Sequence, residues 1–247
     1  MPRFEGCTFE DTRNLVNKWQ GRTGIYTSSS SYKVGAYCSA LIIPCNANTG
    51  TPSQFNNLRN AIESYGDRSR GPISIENSIF SSYKGVLLQG TNGALVRSNT
   101  FNVEHDPVTP GNTEYPYGLY LDMSQDFNTE GNQFQGLGDA QNDGAAGLVI
   151  RNTGPNNNEF YGSDFDDLRL GSQVLHANKM WMNGFIGLTF RCNDYENDWD
   201  DLDIRFDPNT MVTYPSGYIG MREFQGQKLN SPPLLPANEF GNSSSSL

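Results

Sequence analysis

The chain has 247 residues, enough for one large all-β domain or two small ones. Its 17 basic residues against 27 acidic leave a net charge of −10, which disfavours nucleic acid and anionic membrane surfaces as partners. No apolar run reaches the length needed to cross a bilayer, so membrane insertion is not expected.

At the start of the chain, Met1-Pro2-Arg3-Phe4 runs straight into patterned sequence with no secretory leader. The expectation is either a cytosolic protein or a piece of a longer polypeptide. Four cysteines follow, Cys7, Cys38, Cys45 and Cys192, at spacings that fit neither a zinc site nor a CxxC redox motif. They read as free thiols or a single structural pair, with Cys38 and Cys45 near enough to pair across a turn.

The dominant signal is repetition. Strands led by glycine begin at Gly24-Ile25-Tyr26-Thr27 and return at Gly85-Val86-Leu87-Leu88, Gly118-Leu119-Tyr120-Leu121, Gly147-Leu148-Val149-Ile150 and Gly187-Leu188-Thr189-Phe190. Interleaved is an Asn-x-Phe signature: Asn99-Thr100-Phe101, Asn132-Gln133-Phe134, Asn158-Glu159-Phe160 and Asn238-Glu239-Phe240. Looser copies occur at Phe9, Phe80 and Tyr195. Gly85 and Phe101 are 16 residues apart, as are Gly118 and Phe134. A longer copy relates Phe55-Asn56-Asn57-Leu58-Arg59-Asn60-Ala61 to Phe165-Asp166-Asp167-Leu168-Arg169-Leu170-Gly171 at an offset of 110.

Units this short cannot bury a face alone, so they must stack coil on coil with parallel strand pairing. The expected fold is all-β, a right-handed single-stranded parallel β-helix (β-solenoid) of five to seven coils. Residues 1–206 form the repeats and 207–247, rich in proline and serine, an irregular C-terminal cap or linker. Alternation predicts two inward columns: Val86, Leu119, Leu148 and Leu188, then Leu88, Leu121, Ile150 and Phe190. The column between them (Tyr26, Glu63, Leu87, Tyr120, Val149, Thr189) is expected to face outward. The Phe of Asn-x-Phe should plug a corner of the core, with its Asn stacked on the next at the bend.

The strings FNNLRNAIES, ISIENSIF, GVLLQGTNGALVRSNTF, GLVIRNTGPNNNEFYGSDFDDL and GLTFRCNDYENDWDDLDIRF resemble the secreted parallel β-helix repeat proteins of gliding bacteria with type IX secretion, in the pectate-lyase-like superfamily. The resemblance spans roughly residues 1 to 206 and implies an extracellular or cell-surface location. Because the family carries a leader and a sorting tail, it also implies a chain cut at both ends. It does not specify an activity.

For catalysis, the fourth position after the repeat glycine supplies Gln89, Asp122, Arg151 and Arg191, with Tyr120 beside Asp122. Asp122, Arg151 and Arg191 are the alternative catalytic set, an acid beside arginines that could hold calcium and take a sugar-ring proton. The competing reading is an exposed cross-strand ion pair, and one aspartate supplies too few oxygens for calcium; no cofactor is expected. Asp166-Asp167 and Asp200-Asp201 read as loop or cap, His105 and His176 as solvated loop histidines. No outward column is expected to gather the carboxylates that glycoside cleavage needs.

For binding, two loops leave the same corner in successive coils. Residues 102–117 carry Asp106, Tyr115 and Tyr117; residues 135–146 carry Asp139 and Asp143; Tyr120 lies on the strand between. Tyrosines with carboxylates suit sugar contact. The function expected is a non-catalytic adhesion or glycan-recognition module, with a polysaccharide or another surface protein as partner. The alternative is a lyase or hydrolase acting on an extended acidic polysaccharide.

Overall fold

A computed structural model describes residues 1–13, 20–39, 49–66, 72–104, 115–138, 144–154, 156, 158–178, 187–196, 198, 200–205 and 239–240. The described residues form three parallel sheets, and no α-helix occurs among them. The first sheet comprises Arg3–Glu5, Lys33–Gly35, Ser74–Glu76, Leu95–Arg97, Asn128–Glu130, Glu159–Tyr161 and Thr189–Arg191. The second comprises Thr8–Glu10, Ser53–Asn56, Ser78–Ser82, Thr100–Glu104, Gln133–Leu137, Asp164–Asp166, Asp194–Glu196 and Glu239–Phe240. The third comprises Thr23–Ser28, Asn60–Tyr65, Lys84–Gln89, Tyr117–Asp122, Ala146–Arg151, Leu170–Leu175 and Asp200–Arg205.

Each coil passes through the three sheets in turn, and every strand pairs only with its equivalents one coil away. This is the right-handed parallel β-helix, about seven coils long, with the handedness that parallel crossovers almost always take. Glu239–Phe240, in the region expected to be a cap or linker, pairs with Asp194 and Tyr195 and adds one more strand to the second sheet.

Many corners turn on one residue in the left-handed region. Between the first and second sheets Gly6, Asn77, Ser98, Gly131, Gly162 and Cys192 all have positive φ. After the third sheet Ser29, Gly90, Met123, Asn152 and His176 do the same. Asn57 and Asp167, equivalent residues of the 110-residue copy, turn the corner between the second and third sheets at φ 55 and 54.

The core is a ladder of rings. Phe9, Phe55, Phe80, Phe101, Phe134, Phe165 and Tyr195 stack face to face along the second sheet, with centroids 4.6 to 4.9 Å apart. That spacing equals the distance between paired strands, so register alone brings the rings into contact. Each stacked pair adds about 0.5–1.5 kcal/mol beyond its buried area. The bend beside it carries an amide and hydroxyl ladder. Asn132 Oδ1 accepts from Asn99 Nδ2 at 3.0 Å and Asn99 N at 3.2 Å. The Asn132 amide N–H donates to Ser163 Oγ, and the Ser163 N–H to Asn193 Oδ1.

Two expectations about the repeat are corrected. The Gly187 copy does not continue the third sheet: Thr189–Arg191 lies in the first sheet, where Phe190 pairs with Phe160. The Asn158-Glu159-Phe160 copy likewise belongs to the first sheet, and Phe165 takes the ring position in that coil. Both errors share a cause, because in the later coils the first-sheet strands also carry an inward Phe. The remaining inward columns are as alternation gives them: Val86, Leu119 and Leu148, with Leu88, Leu121 and Ile150, are fully buried. The intervening column does not stay solvated along its length. Tyr26 is 65% exposed, whereas Val149 is fully buried, packed with Tyr117, Ala146 and Leu175 in a second small cluster outside the sheet.

Candidate functional site

The third sheet brings together three of the expected ligand contacts, Tyr115, Tyr117 and Tyr120, on its outer face. There they cover the sheet. Tyr117 is buried, stands edge-on to Tyr120 with centroids 5.3 Å apart, and lies under Lys84 Nζ. The Tyr115 hydroxyl donates to Gln173 Oε1 at 2.7 Å. Asp106, Asp139 and Asp143 lie outside the described residues, as do His105, Glu114 and Asn142.

Asp122 and Arg151 are register partners in adjacent coils. Asp122 is only 4% exposed; Gln89 Nε2 donates to its Oδ2 at 2.9 Å, and Arg151 Nε lies 3.3 Å from its Oδ1. Burial pushes the Asp122 carboxyl above the ordinary range, although Arg151, Gln89 and His176 each pull it down. A carboxylate so enclosed is a structural group and presents no open face to a sugar. Arg191 does not join it: it lies on the first sheet, paired in register with Tyr161 and 3.2 Å from the Glu159 carboxylate. His176 is not a solvated loop residue but fully buried, at φ 61 on the corner following Leu175.

The more open polar surface lies on the second sheet. Alternation turns the Phe of each strand inward, so both its neighbours point out. The register aligns Thr100, Gln133, Asp164 and Asp194 in one outward column, and Asn102, Gln135, Asp166 and Glu196 in the other. These residues line a groove of about 480 Å³, floored by the edges of Phe134 and Phe165. Asn102 Nδ2 donates to Ser81 Oγ, and Gln135 Nε2 to Asp167 Oδ2, so amides are oriented along the column. Burial, and then the charge of Asp194, push the Asp164 carboxyl up. Four carboxylates thus stand in outward columns, against the expectation that none would gather carboxylates; Asp166 is a strand residue facing out rather than loop material. The sequence shows only that each residue flanking the ladder ring is polar in four successive coils; the register is what aligns them.

Among the described residues, no three of His, Cys, Asp or Glu come together to hold a metal ion. Cys38 is disulfide-bonded, while Cys7 and Cys192 carry free thiols; Cys45 lies outside the described residues.

Fold and surface together define a β-solenoid whose second sheet presents a polar, solvent-facing groove. The chain belongs to the NosD family: the family model described as periplasmic copper-binding protein (NosD) matches residues 5–207, nearly the whole coil stack. No curated protein and no solved structure matches the chain. The periplasmic description agrees with a place in the cell envelope or outside the cell, and a disulfide at Cys38 suits an oxidising compartment. Copper, the ion in the family's description, does not fit the described donors. The groove offers only carboxylate and amide oxygens, whereas Cu(I) selects sulfur and Cu(II) sites combine oxygen with imidazole nitrogen.

Proposed function

We propose that this chain is a non-catalytic recognition module of the cell envelope or surface that binds an extended glycan along the outer face of its second sheet. The observation that carries this reading is the pair of aligned polar columns, Thr100-Gln133-Asp164-Asp194 and Asn102-Gln135-Asp166-Glu196, lining one open groove. The coil rise of about 4.8 Å repeats donors and acceptors at even steps, which suits a polymer lying along the axis. Amides offer both donor and acceptor to sugar hydroxyls. Because the fold fixes the backbone beneath them, little ordering entropy is lost on binding.

The carboxylates also set the ligand class. A polyuronate would meet like charge throughout the lower groove, so neutral or amine-bearing glycans are favoured and an acidic polysaccharide is disfavoured. Export by a type IX route belongs to this proposal as its resemblance-based part.

The test is retention on immobilised neutral, amine-bearing and uronic glycans, with product analysis on the same samples. Binding to a neutral or amine-bearing glycan, weakened about tenfold or more by Gln133→Ala with Gln135→Ala and untouched by Tyr26→Ala, is the expected result; a tenfold change is about 1.4 kcal/mol. New reducing ends or unsaturated products would make the protein an enzyme. Binding insensitive to the groove variants would move the site elsewhere.

A further inference from the structure

The family description and the position of this chain's donors disagree, and the disagreement is informative. We infer that the described part of the coil stack carries no copper site: the free thiols, Met123 and His176 are spread so widely among the described residues that no ion collects two of them.

A first-row ion binds nitrogen and sulfur at about 2.0–2.3 Å, so two donors to one ion must lie within about 4.6 Å of each other. The free thiols are at opposite ends of the stack. Cys7 lies in the first coil, where its Sγ contacts the Glu5 carbonyl at 3.7 Å. Cys192 lies in the seventh, at the same corner. Six coil rises of about 4.8 Å separate the two corners, about 29 Å in all. Cys38 is disulfide-bonded and offers no thiolate.

His176 and Met123 occupy the same corner column after the third sheet. Asn152 stands between them: the Met123 N–H donates to the Arg151 carbonyl, and the Asn152 N–H to the Leu175 carbonyl. Two rises put the His176 and Met123 backbones about 9–10 Å apart, and Met123 is partly exposed whereas His176 is fully buried. His176 is moreover fully buried in the Asp122–Arg151 environment, where the guanidinium disfavours a second cation. Arg191, next to Cys192, places another guanidinium there. Oxygen donors dominate elsewhere on the described outer faces, and these suit hard cations and sugar hydroxyls rather than copper. The family's scaffold is therefore kept here while copper chemistry is absent from the described coils.

The experiment uses the full chain, reduced at its free thiols, titrated with Cu(II) against glycine and with Cu(I) against bicinchoninate. The same titrations are run on a Cys7→Ser, Met123→Leu, Cys192→Ser variant whose circular dichroism matches the wild type. The expected result is no one-to-one site tighter than micromolar, or binding unchanged in the variant because it arises outside the coil donors. Stoichiometric submicromolar binding that the variant weakens tenfold or more would overturn the inference. If the variant fails to fold, spectroscopy of the copper-loaded wild type decides instead. A thiolate-to-copper charge-transfer band, or the nitrogen splitting of one bound imidazole that His105→Ala leaves in place, overturns it. The absence of both signals supports it.

Discussion

Gly118 lies directly against the ring of Phe134: a Cβ at Gly118 would sit 2.7 Å from Phe134 Cδ1 and 2.7 Å from the carbonyl oxygen of Gly147. The same contact joins Gly85 to Phe101 and Gly147 to Phe165. In these three third-sheet strands the glycine near the start is thus the seat of the ladder ring 16 or 18 residues later, while Ala61 takes the equivalent place in Asn60–Tyr65. The missing side chain, rather than an unusual backbone angle, is what the position requires.

Gly118→Ala should therefore destabilise by about 1–3 kcal/mol, the ordinary cost of overpacking. Urea denaturation of the single variant, of Phe134→Leu and of the double variant measures the coupling. Trimming the ring makes room for the methyl, so the double variant should cost less than the sum. Strict additivity would mean that the carbonyl of Gly147, not the ring, is the obstacle.

This pairing also marks what could be read from the sequence. The constant distance from Gly85 to Phe101 and from Gly118 to Phe134 records a contact in space, which is why the coil and its inward columns were legible. The 110-residue copy was legible for the same reason: Phe55-Asn56-Asn57-Leu58 and Phe165-Asp166-Asp167-Leu168 each place a ring, an outward residue, a left-handed corner and a buried Leu. Phe160 and Phe190 misled because a strand's pattern names its inward face but not its sheet. The groove is hidden in the sequence for a different reason. The residues beside the ladder ring vary in identity (Thr, Gln, Asp; Asn, Gln, Asp, Glu), and only the register shows that they form two columns.

Charge substitutions along the third sheet should follow burial, not column. Leu121→Asp buries an unpaired charge and should leave no cooperative transition. Val149→Asp should cost several kcal/mol although it sits in the outward column, because Tyr117, Ala146 and Leu175 seal it from water. Tyr26→Asp, in the same column at the other end, should shift the denaturation midpoint by about 0.5 kcal/mol or less. Equal tolerance of Val149→Asp and Tyr26→Asp would mean that the outer cluster is not closed in solution.

The Asn ladder should be costly to interrupt. Asn132 is fully buried; its Nδ2 donates to the Val96 carbonyl while its Oδ1 accepts from Asn99. Asn132→Ala leaves those partners buried without a bond, at about 1–3 kcal/mol for each unsatisfied group. A midpoint shift of a few tenths of a kcal/mol would show that water enters the corner and replaces the amide.

Asp122 gives the fold a pH dependence whose sign follows from its surroundings. Burial outweighs Arg151, Gln89 and His176 and raises its folded pKa. A carboxyl with a raised folded pKa holds its proton more firmly folded than unfolded. Its contribution is therefore fully present below the unfolded carboxylate pKa and is lost as pH rises through the folded value. Asp122→Asn fixes the neutral state at nearly the same shape; Gln89 can still bond the side-chain oxygen, and Arg151, a third exposed, can still reach water. Denaturation midpoints measured from the ordinary carboxylate range up to neutral pH should fall more steeply for the wild type than for Asp122→Asn. A wild-type midpoint that instead rises across that window more steeply than the variant's would mean that the Arg151 pair, not burial, governs the carboxyl.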